Sequence, residues 1–395
     1  MKKLFASCIM GLSCLGSLAH AAWDQATNIP EFPASLKNKL GDKVAVIPGY
    51  LMGNGQYSDV YYRNDRGGWI TNMIDMAPCV FVHYHGGNWT GGDPRYSGDD
   101  DTTISTLVNH YVGGLGCIFV GMSYPLAEVE SSNGYIKPLR DHSGQMILNP
   151  TLHDIIGDND GPTMTGRTGS VFETFNLFYT KHFQQWKASS YRSTPLQLYV
   201  GGESAGAYIA QRVASDGRWA VNASLVSGVP VLNPRSRFKS TLVGSELLDD
   251  DPDLVYENPN DRCETQWSQP ICKQFRNLYN NKYSGEENML DLHRYNGNAE
   301  LTTYYIANIC DDLTEVGAAL RGWFDGIPAN KKRLFIHKGF ADNVGHGHWA
   351  EMYSDIISNN APAWLSNGET MLLPHPWTSK YGAYCTGTNV SRIRN

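Results

Sequence analysis

Short apolar runs of strand length recur along the chain, and several of the intervals between them carry helical periodicity. Residues 22 to 75 mix brief apolar runs with Gly, Asn and Tyr and read as lead-in loops and edge strands. Ala77 to Tyr84 is a continuous apolar run that stops at His85-Gly86-Gly87-Asn88-Trp89, so a buried strand is expected to meet a glycine loop. Thr103 to Val112 has helical character, and Gly116 to Tyr124 is a second buried-strand candidate leading into Pro125-Leu126-Ala127-Glu128. Phe175, Phe178, Phe183 and Trp186 stand near helical spacing within Thr174 to Ser189. Leu196 to Gln211 then reads as a buried strand, a glycine-pinched turn and the start of a helix that runs on through Ala210 to Ser215. Further strands are expected at Ala223 to Leu232, Leu301 to Ile309 and Arg333 to His337, with a helix over Val316 to Phe324. Strands and helices that alternate in this way predict a mostly parallel sheet covered by helices on both faces, an α/β fold.

Two stretches break the rhythm. Residues 129 to 170 are rich in Gly, Asp, Asn, Thr and Pro and read as an inserted loop; residues 233 to 298 are polar, carry Pro252, Pro259 and Pro270, and read as an insertion or cap. The organisation expected is therefore a leader at 1 to 21 and one domain over 22 to 395 with these two insertions. Met1-Lys2-Lys3, an apolar run from Leu4 to Leu18 and Ala19-His20-Ala21 match a secretory signal cleaved after Ala21, which predicts a secreted or periplasmic protein. Cleavage removes Lys2 and Lys3 from a formal net charge of −7, leaving −9 without long basic runs, so nucleic acid is not an expected partner. No later stretch has the length of apolar residues that would predict a membrane span. Among the six remaining cysteines, Cys263 and Cys272 are the favoured bridge because they close a short polar loop, with Cys310 and Cys385 as a second pair. Cys79 and Cys117 lie inside apolar strand candidates, where a buried free thiol and a bridge are equally consistent. No cysteine or histidine spacing predicts a zinc site, and the acidic runs at 99 to 101, 249 to 251 and Asp158 to Gly161 read as solvated loops before calcium sites. No cofactor is expected.

The chemistry sits at strand ends. Gly202-Glu203-Ser204-Ala205-Gly206 spells the G-x-S-x-G nucleophile elbow, whose small residues allow a strained turn to present the serine oxygen. A serine that attacks an ester needs a base, an acid to orient the base, and N–H donors for the oxyanion. Asp311, after the strand at 301 to 309, supplies the acid, and the loop holding His346 and His348 supplies the base. The backbone N–H of Ala205 and the Gly86-Gly87-Asn88 loop supply donors. The order Ser, Asp, His is that of an α/β-hydrolase. His85 reads as support for the loop rather than as a base, and His337 as a packed or partly exposed strand residue. Trp89, beside the glycine loop, reads either as lining an acyl or sugar pocket or, like most aromatics, as core.

With these motifs in place the chain resembles α/β-hydrolases of the hormone-sensitive-lipase and carboxylesterase type. The resemblance covers roughly residues 77 to 128 and 174 to 355. It pairs an HGG-type loop with a following Tyr-Arg-Leu-Ala-Pro-Glu-like segment, here Tyr124-Pro125-Leu126-Ala127-Glu128, which departs at two positions. It implies esterase activity without cofactor, with an ester substrate, small or polymer-bound, as partner. By the family pattern Gly87 and Asn88 donate oxyanion N–H groups, Asp311 of Asp311-Asp312-Leu313 is favoured as the acid, and His346, followed by Gly, is favoured over His348. A peptidase or amidase on the same scaffold and a silent cholinesterase-like binding protein are the alternatives.

Overall fold

A computed structural model describes residues 31–52, 54–65, 76–87, 89, 91–95, 101–127, 138–141, 143–148, 150, 152–157, 168–188, 195–228, 298–308, 324, 327–337 and 349–358. Eight strands form one sheet: β1 Val44–Leu51, β2 Tyr57–Arg63, β3 Cys79–Tyr84, β4 Ile118–Met122, β5 Gln197–Glu203, β6 Ala223–Ser227, β7 Thr302–Asn308 and β8 Lys332–His337. Their spatial order is β1-β2-β4-β3-β5-β6-β7-β8. The first two strands run antiparallel to their neighbours, and every pairing from β4 onward is parallel.

The central strands follow from their composition. Every residue of β3, β4 and β6 is buried, as expected where helices cover both faces of a parallel sheet. One face holds Val80, Val82, Leu198 and Val200 against α4 (Val171–Phe178) and α6 (Ala205–Ser215). The other holds Phe81, Phe119 and Tyr199 under α1 (Ala34–Lys39), α2 (Thr102–Val108) and α7 (Trp349–Ser358). The β1 edge strand shifts register between Ile47 and Tyr50, where Gly49 has φ 63° and donates its N–H to Asp59 Oδ1 at 2.8 Å. Asp59 also accepts from Arg95 Nε at 2.7 Å, a buried ion pair that fixes the bulge to the chain after the glycine loop.

Several expected boundaries move. The helix expected from Thr174 starts at Val171, because Ser170 caps it through Glu173 N at 3.3 Å, and a π-helical turn at Tyr179–Phe183 carries it into α5 (Gln184–Lys187). A second π-helical turn, Asn109–Gly114, extends α2. The stretch 129 to 170 is not loop throughout. Leu152–Ile156 forms a short helix, α3, because Leu152, Ile155 and Ile156 close together against the core and are fully buried. The leader, residues 233 to 297 of the second insertion and residues 316 to 323 of the helix expected up to Phe324 lie outside the described residues.

Cys79 and Cys117 form a disulfide, with Cα atoms 4.7 Å apart. The parallel register that sets Val80 beside Ile118 brings the preceding residues of the two chains together. Cys263, Cys272, Cys310 and Cys385 lie outside the described residues. Asp101, of the acidic run at 99 to 101, pairs with Lys39. Among the described residues no helix is long and apolar enough to cross a membrane, and no group of three or more His, Cys, Asp or Glu is placed to hold a metal ion.

Candidate active site

The sheet reverses its order at β3, with β4 on one side and β5 on the other, which opens a crevice beyond their carboxyl ends. The glycine loop follows β3 and the elbow follows β5, so the topology delivers both to one place.

Ser204 joins β5 to α6 with φ 52° and ψ −123°, a left-handed conformation rare outside glycine. Two backbone bonds hold it there: Ser204 N–H donates to Ser227 O on β6 at 2.9 Å, and Ser204 O accepts from Tyr208 N–H at 3.2 Å. The flanking glycines are required by contact rather than by their own φ. A Cβ on Gly202 would lie 2.4 Å from Tyr84 O, and one on Gly206 would lie 2.1 Å from Tyr84 O and 2.4 Å from His85 O. Ser204 is the partly exposed residue of this stretch; its neighbours Glu203 and Ala205 are buried. Strain of this kind persists where the surroundings over-determine it, and it lifts the serine above the sheet edge. The fold is an α/β-hydrolase fold.

No family model matches the chain, and no curated protein sequence matches it. Among solved structures it is similar to a thermophilic esterase from Thermogutta terrifontis with propionate bound, at 11% identity and TM-score 0.47 over 85% of this chain and 97% of the other. It is also similar to an esterase of Pyrococcus furiosus, at 10% identity and TM-score 0.44 over 87% and 97% of the two chains. An inhibited esterase B from Lactobacillus rhamnosis gives 13% identity and TM-score 0.43 over 91% and 99%. The α/β-hydrolase assignment rests on strand order and the elbow.

The loop after β3 is built as tightly as the elbow. Gly87 has φ 114°, and a Cβ there would lie 2.2 Å from Gly91 O; Gly91 N–H returns a bond to Gly87 O at 3.0 Å. His85 is fully buried, and its Nδ1 lies 2.7 Å from Gly86 O. Burial pulls its pKa down from 6.5 to about 3, so the imidazole stays neutral and serves the loop, as the sequence reading expects. The second motif fastens this loop. Tyr124 stacks on His85 with centroids 4.3 Å apart and donates its hydroxyl to His85 O at 3.0 Å, while Ala127 N–H donates to Trp89 O at 2.7 Å. The HGG segment and Tyr124 to Ala127, separate in sequence, are one unit in space.

Trp89 follows the core reading. It has φ 60°, is 2% exposed and meets Tyr208 of α6 edge-on at 6.0 Å, so it packs the loop against the elbow helix.

Of the residues expected at the site, Ser204 and Ala205 follow β5 and Gly87 follows β3, at the carboxyl ends of two parallel neighbouring strands. Ala205 is the first residue of α6, so its N–H has no acceptor within the helix and can donate to an anion. Asn88, Asp311, His346 and His348 lie outside the described residues. The strands before them are placed: β7 ends at Asn308, β8 ends at His337, the two are parallel neighbours, and α7 begins at Trp349.

A buried polar pair lies behind the elbow and was not anticipated. His83 Nε2 lies 2.8 Å from Glu203 Oε1, and both side chains are 0% exposed. Its signal in the sequence was a histidine inside the otherwise apolar β3 run and a carboxylate at the free position of the elbow motif.

Proposed function

We propose that the protein is an exported serine hydrolase of carboxylic esters. The observation that carries this reading is the left-handed Ser204, packed through Gly206 against the first carbonyls of a glycine loop that can supply N–H donors. Ser204 Oγ attacks the ester carbonyl while His346, or His348 as alternate, takes its proton. Asp311 holds the imidazole in the right tautomer and stabilises the imidazolium. The N–H groups of Gly87, Asn88 and Ala205 receive the oxyanion, a contribution of about 3 kcal/mol for each donor. Collapse breaks the ester C–O bond, and the alcohol departs with the proton from the imidazolium. Water, deprotonated by the same histidine, then attacks the acyl-enzyme and releases the acid with Ser204 restored.

The motif set supports the hormone-sensitive-lipase and carboxylesterase type: the HGG loop, the Tyr124-to-Glu128 segment and the order Ser, Asp, His. Export is supported by the leader pattern at residues 1 to 21 and by the Cys79–Cys117 disulfide, which belongs to an oxidising compartment.

The test is hydrolysis by the purified protein of short aryl esters, each matched with its amide, across a series of acyl lengths and sugar esters. Ester cleavage with amides left intact is expected. Amide cleavage at comparable kcat/KM would move the reading to an amidase, and cleavage of neither would sink it.

A further inference from the structure

The buried pair behind the elbow has a third member. Tyr353, on α7, hydrogen-bonds the Glu203 carboxylate, and its phenol is pushed well above its ordinary pKa by burial and then by the charge of Glu203, so it remains an O–H donor. Glu203 thus joins three elements: β5, of which it is the last residue; β3, through His83; and α7, through Tyr353. The setting is otherwise apolar. His83 lies at a shallow angle to Phe119, with centroids 5.5 Å apart, and to Phe81, at 6.4 Å. Among the described residues His83 Nδ1 meets no partner, so the bond from Nε2 to Glu203 is the polar contact that offsets burial of this ring, and in such surroundings it is strengthened.

Its position gives it a purpose beyond packing. Glu203 immediately precedes Ser204, and Tyr353 is in the second turn of the helix that starts one residue after His348 and three after His346. The network is therefore a short route between the nucleophile's strand and the helix that follows the histidine loop. A misplacement of reacting groups by about 1 Å can cost about a hundredfold in rate, so fixing these two elements in register matters to catalysis.

We propose that Glu203 is a positioning residue, which, held by His83 and Tyr353, sets the elbow in register with the helix after the histidine loop. This rests on the reading of Ser204 as nucleophile. The carboxylate also acts through space: the phenol of Tyr124, beside the oxyanion loop, is raised by burial and then by the charge of Glu203. The titratable groups grouped with it are His83, Tyr353 and Tyr124, with Tyr111 acting on Tyr353 from the π-helical turn. A negative charge near the site favours the imidazolium form of the base and raises its pKa, so its removal moves the acid limb of the rate profile to lower pH.

The experiment compares Tyr353→Phe, Glu203→Gln and the double variant with the full-length protein. A fluorophosphonate titration counts competent sites, and kcat, KM and the pH profile of kcat/KM are measured per site on a short aryl ester. Tyr353→Phe is expected to lower kcat about tenfold with KM within about twofold. Glu203→Gln is expected to lower kcat and shift the acid limb to lower pH. The double variant is expected to fall no further than the worse single, because Tyr353→Phe removes, and Glu203→Gln weakens, the same contact. Wild-type kcat per competent site in both single variants with an unmoved limb, whatever happens to the melting temperature, would reduce the network to a structural one and overturn the proposal. Losses that multiply in the double variant would also overturn it. Because values are taken per titrated site, poorly folding variants are read on their competent fraction. Failure of the Ser204 reading looks different: the wild-type protein itself takes up no label.

Discussion

Gly206 and His85 meet at the backbone: a Cβ on Gly206 would stand 2.4 Å from the His85 carbonyl oxygen and closer still to that of Tyr84. The elbow and the glycine loop are thus seated on one another with no room for a methyl group. Gly206→Ala is expected to push them apart. Alanine is the better helix former by about 1 kcal/mol, but overpacking against backbone atoms costs about 1 to 3 kcal/mol and leaves a net loss. The check is a melting temperature together with kcat on an aryl ester, both of which should fall.

Tyr124→Phe separates the two ways in which the second motif supports the loop. The stack on His85 survives and the bond from the hydroxyl to His85 O at 3.0 Å is lost. A buried carbonyl left short of a donor costs about 1 to 3 kcal/mol. Kinetics on a short ester should show reduced kcat with little change in KM, because the loop is invoked mainly for the transition state.

How far the sequence carried this account can be seen at particular residues. β3, β4 and β5 were readable because Val80 to Tyr84, Ile118 to Met122 and Leu198 to Glu203 are runs long enough to be buried on both faces. Ser204 was readable because a strained turn demands small neighbours in a fixed pattern. The α3 helix at Leu152–Ile156 was hidden by the polar stretch around it, and the π-helical turns have no pattern of their own. Trp89 and the His83–Glu203–Tyr353 network depend on contacts between residues more than a hundred positions apart, which local periodicity does not record.

Acid should destabilise the protein in a defined window. Burial lowers the pKa of His85 to about 3 and that of His182 to about 4, the latter with a smaller effect from Lys181. Below pH 6.5 the unfolded chain takes up protons that these folded residues refuse, so stability falls with pH from there down to the folded values and no such loss occurs above 6.5. Each proton contributes a slope of up to about 1.4 kcal/mol per pH unit. His182, bonded through Nε2 to the Tyr50 hydroxyl at 2.9 Å, is the convenient probe. Denaturant unfolding of His182→Gln between pH 4 and pH 6.5 should show a shallower slope than wild type by about one proton.

The Cys79–Cys117 bridge closes a span of 38 residues. Chain entropy alone assigns such a loop about 4 kcal/mol. The double change to serine should lower the unfolding free energy by an amount of that order, and thiol counting on the unfolded, unreduced wild type should find neither Cys79 nor Cys117 free. Free thiols at both positions would contradict the bridge.

The most direct measurement is the site of covalent labelling by a fluorophosphonate, read by intact mass and peptide mapping with ester hydrolysis followed in parallel. One label per chain on the peptide carrying Ser204, with activity lost in step and both abolished in folded Ser204→Ala, is the expected result. A folded wild-type protein that hydrolyses esters while Ser204 stays unlabelled, or a Ser204→Ala variant that keeps its activity, would contradict the assignment of Ser204 as nucleophile.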